Sequence, residues 1–137
     1  MGLVLDSSVL IAAERDKRLV SLLLATREVR YSVTEFFLSS VTIMELEHGC
    51  HRANSPQSAL KRRSYLDEIL AIIPVAPFTC EMGVLAGKIE AEMRKTVVAI
   101  ATADLLIGVT ALHGGHGVVT TNLRHFRRIP GLAVLPL

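Results

Sequence analysis

The sequence predicts an α/β fold in which helices cover a short parallel sheet, and three observations support this prediction. Short strand-like runs alternate with longer segments in which apolar residues recur at helical spacing. The strand-like runs are apolar throughout, which is typical of parallel strands that are buried on both faces. Hydrophobic residues make up 50% of the 137 residues and charged residues 20%, a balance that predicts one well-packed domain spanning residues 1–137.

In the first half of the chain, residues that favour a helix start follow the strand-like runs. Ser7 or Ser8 can cap the helix after the first run, and Ser55 with Pro56 combines a capping serine with proline at the first helical position. The predicted elements, in order, are a strand ending at Asp6, a helix to about Arg15, a helix over 18–29, a strand over 36–38, a helix over 41–50, a helix over 54–73 with an amphipathic face at Leu60, Leu66, Ile69, Leu70 and Ile73, and a short strand or turn over 74–77.

The second half of the chain continues the same alternation. An amphipathic helix begins near Thr79, and a more apolar helix ends at the glycine pair Gly114–Gly115, which cannot extend it well. The predicted elements, in order, are a helix over 79–95, a helix over 102–113, a buried strand over 117–121 and an edge strand over 132–137.

Composition also limits where the protein acts. Cys50 and Cys80 lack the spacing of a metal site, so both are expected to be buried as small apolar residues of a reduced protein. The N-terminus lacks the basic region of a signal peptide, and the apolar stretches are far shorter than a membrane span. We therefore expect a cytoplasmic protein with no membrane contact.

Charge is distributed unevenly along the chain. The formal net charge is only +2, but no acidic residue follows Asp104, whereas Arg124, Arg127 and Arg128 lie near the C-terminal end. This asymmetry favours an anionic partner, although a solvated basic turn would have the same composition.

Four polar residues are predicted to lie near the carboxyl ends of the strands, where open α/β sheets bind their ligands. Asp6 ends the first strand, Glu45 lies in the helix after the second, Asp104 begins an apolar helix, and Asn122 follows the strand over 117–121. Carboxylates about 4 Å apart repel by roughly 4 kcal/mol per pair at an effective dielectric constant of 20. A divalent cation such as Mg²⁺ would remove that repulsion. Alternatively, Asp6 and Asp104 are carboxylates stabilised by helix dipoles and Glu45 is a surface residue.

Four segments together resemble the PIN-domain family, specifically its VapC-type toxins. They are LVLDSSVLI (3–11), SSVTIMELEHG (39–49), IATADLLIGVTAL (100–112) and GVVTTNLRHFRRIPGLAVL (117–135). The resemblance implies a three-layer α/β/α sandwich with a short central parallel sheet and a Mg²⁺-dependent (or Mn²⁺-dependent) endoribonuclease. It also implies that Asp6, Glu45 and Asp104 form the metal site. Asn122 departs from the family pattern, because many members have a fourth acid there.

The resemblance assigns a role to each of these residues. Asp6 and Asp104 would bind the metal directly or through water, and Glu45 would hold a bound water or a second ion and assist proton removal. Ser7 and Thr120 would orient the carboxylates, unless they serve only in capping and strand packing.

Substrate and partners follow from the same resemblance. Arg124, Arg127 and Arg128 would contact RNA phosphates. A small antitoxin protein whose C-terminal segment reaches the active site is the expected partner, and a homodimer is expected as well. The apolar helices over 18–29 and 54–73 could supply these interfaces or belong to the core.

Two other functions also fit the residues. One is a catalytically weak PIN-fold binding module, which the asparagine at position 122 keeps open. The other is a phosphate-receiving α/β domain phosphorylated on Asp6, although Ser8 stands where such domains carry a second acid. Two His-x-x-His spacings, at His48 and His51 and at His113 and His116, lack the further ligands of a zinc site. These histidines are expected to lie on the surface or at helix ends.

Overall fold

A five-stranded parallel sheet forms the centre of the structure, a computed structural model that describes residues 1–137. The strands are β1 (Leu3–Leu5), β2 (Phe36–Ser39), β3 (Val75–Ala76), β4 (Gly117–Thr120) and β5 (Val134–Pro136). Their order in the sheet is β3-β2-β1-β4-β5, and every neighbouring pair is parallel. Val4 in the central strand pairs with Phe37 on one side and Val118 on the other.

Seven helices cover the two faces of this sheet. They are α1 (Ser7–Arg15), α2 (Val20–Tyr31), α3 (Ser40–His51), α4 (Pro56–Ile72), α5 (Cys80–Lys95), α6 (Thr102–His113) and α7 (Leu123–Phe126). The side chains of Leu3 and Leu5 pack against α1, α2 and α4, whereas Val4 and Val118 pack against α5, α6 and α7. This alternation divides the core into two apolar layers, and it confirms the predicted three-layer sandwich.

The caps of the longer helices follow the sequence closely. The hydroxyl oxygens of Ser39, Ser55 and Thr79 accept hydrogen bonds from main-chain N–H groups in the first turns of α3, α4 and α5. Capping satisfies N–H groups that have no partner inside the helix. None of the helices has the length and hydrophobicity that crossing a bilayer requires.

Four expectations about individual residues need correction. Leu60 and Leu70 are 71% and 44% exposed, because α4 contacts the core through the narrower stripe that contains Leu66 and Ile69. Cys80 is exposed, since it begins α5 on the solvent side, whereas Cys50 is buried. The N-cap of α1 is Asp6 rather than a serine, and its side chain makes no capping bond. The short helix α7 was not predicted, because four residues carry no periodic pattern.

Candidate active site

Asp6 lies at the centre of the candidate site, where the chain leaves β1 and enters α1. Its main-chain N–H donates to the carbonyl oxygen of Val119, which fixes the residue beside β4. The side chain is 2% exposed, and its Oδ2 accepts hydrogen bonds from Ser8 Oγ at 2.7 Å and Thr120 Oγ1 at 2.9 Å. Two hydroxyl donors therefore hold one oxygen of a buried carboxylate and leave Oδ1 outside these bonds.

Glu45 approaches Asp6 from α3. Its Oε1 accepts a hydrogen bond from Ser7 Oγ at 3.0 Å, which links α3 to the first turn of α1. Burial raises the pKa of Glu45, the hydrogen bond from Ser7 lowers it, and the negative charges of Asp6 and Asp104 raise it again. Burial is the largest cause of this increase because it makes the ionised form of Glu45 costly, and no positive charge opposes it.

Asp104 enters the site from the first turn of α6, with its side chain 16% exposed. Its Oδ2 lies 3.4 Å from Nδ1 of His125, which belongs to α7 and is 50% exposed. Burial and the charge of Asp6 raise the pKa of Asp104, and the contact with His125 opposes this increase. Two helices and one strand end thus bring three carboxylates to one edge of the sheet.

We call Asp6, Glu45 and Asp104 the carboxylate edge. One oxygen of each member contacts a protein side chain. Asp6 accepts hydrogen bonds from Ser8 and Thr120, Glu45 accepts one from Ser7, and Asp104 lies 3.4 Å from the imidazole of His125. The second oxygen of each takes no part in those contacts. The negative charge of Asp6 raises the pKa of Glu45 and that of Asp104, and the charge of Asp104 raises the pKa of Glu45 as well. Such a set fits a hard divalent cation, which binds oxygen and removes the repulsion.

The donor set also limits how an ion is held. No three His, Cys, Asp or Glu side chains are close enough together to enclose a metal ion by themselves. Mg²⁺ commonly binds to one or two carboxylates and keeps several of its waters, whereas zinc sites use three or four protein ligands. The donors present therefore suit Mg²⁺ better than they suit zinc.

Asn122 and the three arginines lie beyond the end of β4. The main-chain N–H of Asn122 donates to Thr120 Oγ1 at 2.9 Å, and its side chain is exposed without capping α7. Arg124 and Arg127 are exposed, and their side chains make no hydrogen bond or ion pair within the chain. Arg128 differs, because its guanidinium donates to the carbonyl oxygen of Ala99 in the loop before α6.

The predicted supporting contacts are present, and two more were missed. Ser7 contacts Glu45 and Thr120 contacts Asp6; their catalytic roles stay a prediction. Ser8 was missed because a serine that caps a helix cannot be told from the sequence apart from a serine that donates to a carboxylate. Its Oγ also accepts a hydrogen bond from Thr121 N–H. The contact of His125 with Asp104 was missed because it depends on α7, which has no sequence signal.

The histidine pairs do not form metal sites in the structure. His116 accepts a hydrogen bond from Gly2 N–H on Nδ1 and stacks on Phe37, with the ring centroids 4.7 Å apart. His51 and His113 are exposed, and His51 lies 3.7 Å from Glu47. These are structural and surface contacts.

A groove runs from Glu45 across the outer surface of α1, α3 and α4. Its volume is about 350 Å³, and its apolar lining includes Ile11, Leu46 and Leu66. Glu14 and Arg62 contribute opposite charges to it. Burial raises the pKa of Glu14, and the nearby Arg62 lowers it. The groove therefore offers apolar contacts and both signs of charge next to the carboxylate edge.

Comparisons with known proteins identify the family. The PIN domain model matches residues 3–132. Ribonuclease VapC1 of Rickettsia felis is 30% identical over 135 residues, covering 98% of this chain and 96% of the relative. The tRNA(fMet)-specific endonuclease VapC of Salmonella typhimurium is 30% identical over 97 residues, 71% of each chain. The crystal structure of VapBC2 from Rickettsia felis bound to a promoter DNA fragment superposes with a TM-score of 0.86 and 22% identity, covering 100% of this chain and 99% of that chain.

The chain therefore belongs to the PIN-domain family and, within it, to the VapC ribonucleases. PIN domains are metal-dependent nucleases, so the expected fold and enzyme class are confirmed. The phosphate-receiving domain is set aside, because the matched family model and the curated relatives are nucleases.

Proposed function

We propose that this protein is the toxin of a VapBC-type pair and cleaves RNA phosphodiester bonds at the carboxylate edge with Mg²⁺, or with Mn²⁺ in its place. The observation that carries this proposal is the shared arrangement of Asp6, Glu45 and Asp104, each with one oxygen held and one free. A divalent ion bound there supplies charge neutralisation at the scissile phosphate and lowers the pKa of a water.

The chain's own residues prepare the site for that chemistry. The free oxygens of Asp6 and Asp104 would hold the ion, and Ser8, Thr120 and His125 keep their orientations. Glu45 has a raised pKa and stands next to both carboxylates, which suits it to accept a proton from an attacking water.

Substrate contacts fall to the exposed basic residues after β4. Arg124 and Arg127 are free to bind phosphates, whereas Arg128 has to leave the carbonyl of Ala99 to do so. The exposed amide of Asn122 can donate to a phosphate or a bound water but adds no negative charge. One relative is named a tRNA(fMet)-specific endonuclease, which makes tRNA the first substrate to test.

The proposed protein partner is an antitoxin that occupies the groove beside Glu45. Solved complexes of the same fold are described as VapBC toxin–antitoxin assemblies. A peptide segment would fill the groove if its apolar side chains packed on Ile11, Leu46 and Leu66. A positively charged side chain of that segment would pair with the carboxylates and block the site. A homodimer in the cytoplasm, where RNA and antitoxin are available, completes the proposal.

Cleavage of purified tRNA tests this function. The parent protein should cut tRNA with Mg²⁺ or Mn²⁺ and stop when EDTA is added. Asp6→Asn should lose at least about 100-fold in rate, because the buried carboxylate is replaced by a neutral group of the same shape. Asp67→Asn, on the exposed face of α4, is the matched control.

Thermal melting must accompany the assay to show that Asp6→Asn is folded. Full metal-dependent cleavage by a folded Asp6→Asn protein would contradict the site assignment. Loss of cleavage by both variants would mean that the preparation, not the site, is defective.

A further inference from the structure

A second cavity lies between α1, α2 and the C-terminal end of the chain, and no residue of the carboxylate edge lines it. Its volume is about 280 Å³, several times the roughly 30 Å³ that one water occupies in the liquid. The polar lining consists of Asp16, Arg18 and Arg27, and the rest is apolar apart from main chain. We call it the Arg27 cavity.

Two of the three guanidinium nitrogens of Arg27 are buried without a partner. The residue is 9% exposed, and its Nε and Nη1 are buried and make no hydrogen bond. No carboxylate lies within 4.0 Å of its guanidinium, whereas Arg15, Arg63 and Arg94 each form an ion pair with an acidic side chain. Burying these two nitrogens is costly, because they have lost water and gained no hydrogen bond in exchange.

The surroundings of Arg27 favour an oxyanion as the missing partner. A guanidinium presents several N–H donors in one plane, which match two oxygens of a phosphate or carboxylate. Arg18 adds a second positive charge to the lining. Asp16 opposes an anion, but it is exposed and lies 3.8 Å from Arg15, which offsets part of its charge.

The wall that carries Arg18 is held in a defined conformation. Lys17 adopts a left-handed conformation with φ of 54°. The N–H of Arg18 donates to the carbonyl of Ala13 at 2.8 Å, and the N–H of Lys17 donates to Glu14 at 3.0 Å. This pair of bonds closes the end of α1 and fixes the turn beside the cavity.

We propose that the Arg27 cavity binds a free oxyanion of the phosphate type through the guanidiniums of Arg27 and Arg18. This site is separate from the nuclease site and does not depend on the proposed function. Bound anion would stabilise the packing of α1 on α2, because it binds only where the two helices meet in the folded protein.

Thermal melting with and without inorganic phosphate tests the proposal. The parent protein, dialysed into chloride buffer, should gain several degrees in melting temperature when phosphate replaces chloride at equal ionic strength. Arg27→Met keeps the length of the side chain and removes the charge. It should melt at or above the parent in chloride and below the parent in phosphate, so that the order of the two proteins reverses.

Two controls make the reversal specific. Arg94→Met removes an exposed arginine of α5 that pairs with Glu90, and it should keep the phosphate response. Arg18→Gln should reduce the response without abolishing it. Calorimetric titration with phosphate should give heat with the parent and none with Arg27→Met.

Three results would overturn the proposal. Arg27→Met could lower the melting temperature equally in both buffers, which would mean that Arg27 has a partner within the protein. The parent could show no phosphate response. Because Leu137 also lines the cavity, the same proteins are made with a Gly-Ser extension after it. A phosphate response confined to the extended protein would identify the main-chain carboxylate of Leu137 as the occupant.

Discussion

The carboxylate edge and the Arg27 cavity both contain buried charge, but the protein supports the two very differently. Asp6, Glu45 and Asp104 each receive at least one contact from a donor in another part of the chain. Arg27 receives none on its buried Nε and Nη1. The acids are therefore oriented before any ligand arrives, whereas the arginine is buried without being oriented by a polar partner.

This difference separates two ways of building a ligand site. On the carboxylate edge, a hydrogen bond to one oxygen fixes the orientation of the carboxylate and therefore the position of its other oxygen. The cost of this arrangement is the repulsion between carboxylates that are held close together. The two buried nitrogens of Arg27 have no such partner, so a ligand would have to supply their hydrogen bonds.

Removing a donor from Asp6 should have the largest effect. Thr120→Val keeps the shape of a fully buried side chain but deletes the hydrogen bond to Asp6 Oδ2 and the acceptor for Asn122 N–H. The loss in unfolding free energy should be about 2–3 kcal/mol, because buried polar groups lose their partners. Urea unfolding measures it. Thr121→Val, at the exposed neighbouring position, should cost less than about 0.5 kcal/mol, and equal losses would refute the role of Thr120.

Neutralising Asp104 should stabilise the metal-free protein. Because its pKa is raised above the ordinary 3.8, the folded protein binds this proton more tightly than the unfolded chain does. The ionised carboxylate thus lowers stability at pH 7, and this cost disappears as the pH falls below 3.8. In EDTA at pH 7, Asp104→Asn should melt about 2 °C or more above the parent, and the difference should shrink toward pH 4.

Added Mg²⁺ should reverse that order. The ion should raise the melting temperature of the parent but not of Asp104→Asn, since the variant lacks one of the charges that the ion offsets. Asp67→Asn is the control and should behave like the parent in both conditions. Equal Mg²⁺ responses in the parent and Asp104→Asn would show that Asp104 does not contribute to ion binding.

Much of the fold could be predicted from the sequence, because apolar strands and capped helices leave local patterns in it. Ser55 caps α4 as the sequence predicted, and Thr79 caps the helix that was predicted to begin near it. The site followed less completely. That Asp6 pairs with Thr120, 114 residues away, depends on β1 lying beside β4. Arg27 carried no signal, since its environment arises only when α1, α2 and the chain end meet.

Two left-handed turns allow the edge and the cavity to be compared for backbone strain. Val97, before the helix of Asp104, has φ of 58°, and Lys17, beside the Arg27 cavity, has φ of 54°. A β-branched residue fits this conformation worst, and Val97 is 94% exposed, so its side chain gains little in return. Val97→Gly should raise the unfolding free energy by about 1 kcal/mol, measured in urea. Lys17→Gly is the matched control and should gain less; a larger gain there would contradict the assignment of strain to Val97.

The smallest effect is expected from the donor to Glu45. Ser7 Oγ holds Glu45 Oε1 at 3.0 Å, and this bond lowers the pKa of Glu45 against the stronger effect of burial. Ser7→Ala removes the bond, so the pKa of Glu45 should rise further and a larger fraction of Glu45 should be protonated at mildly acidic pH. If Glu45 accepts the proton during cleavage, the acid limb of kcat/KM against pH should move to higher pH, while the rate at high pH changes little. Ser64→Ala, exposed on α4, is the control. An unchanged pH profile for Ser7→Ala would mean that Ser7 supports only the packing of α1 on α3, and that the carboxylate edge depends on fewer donors than its geometry indicates.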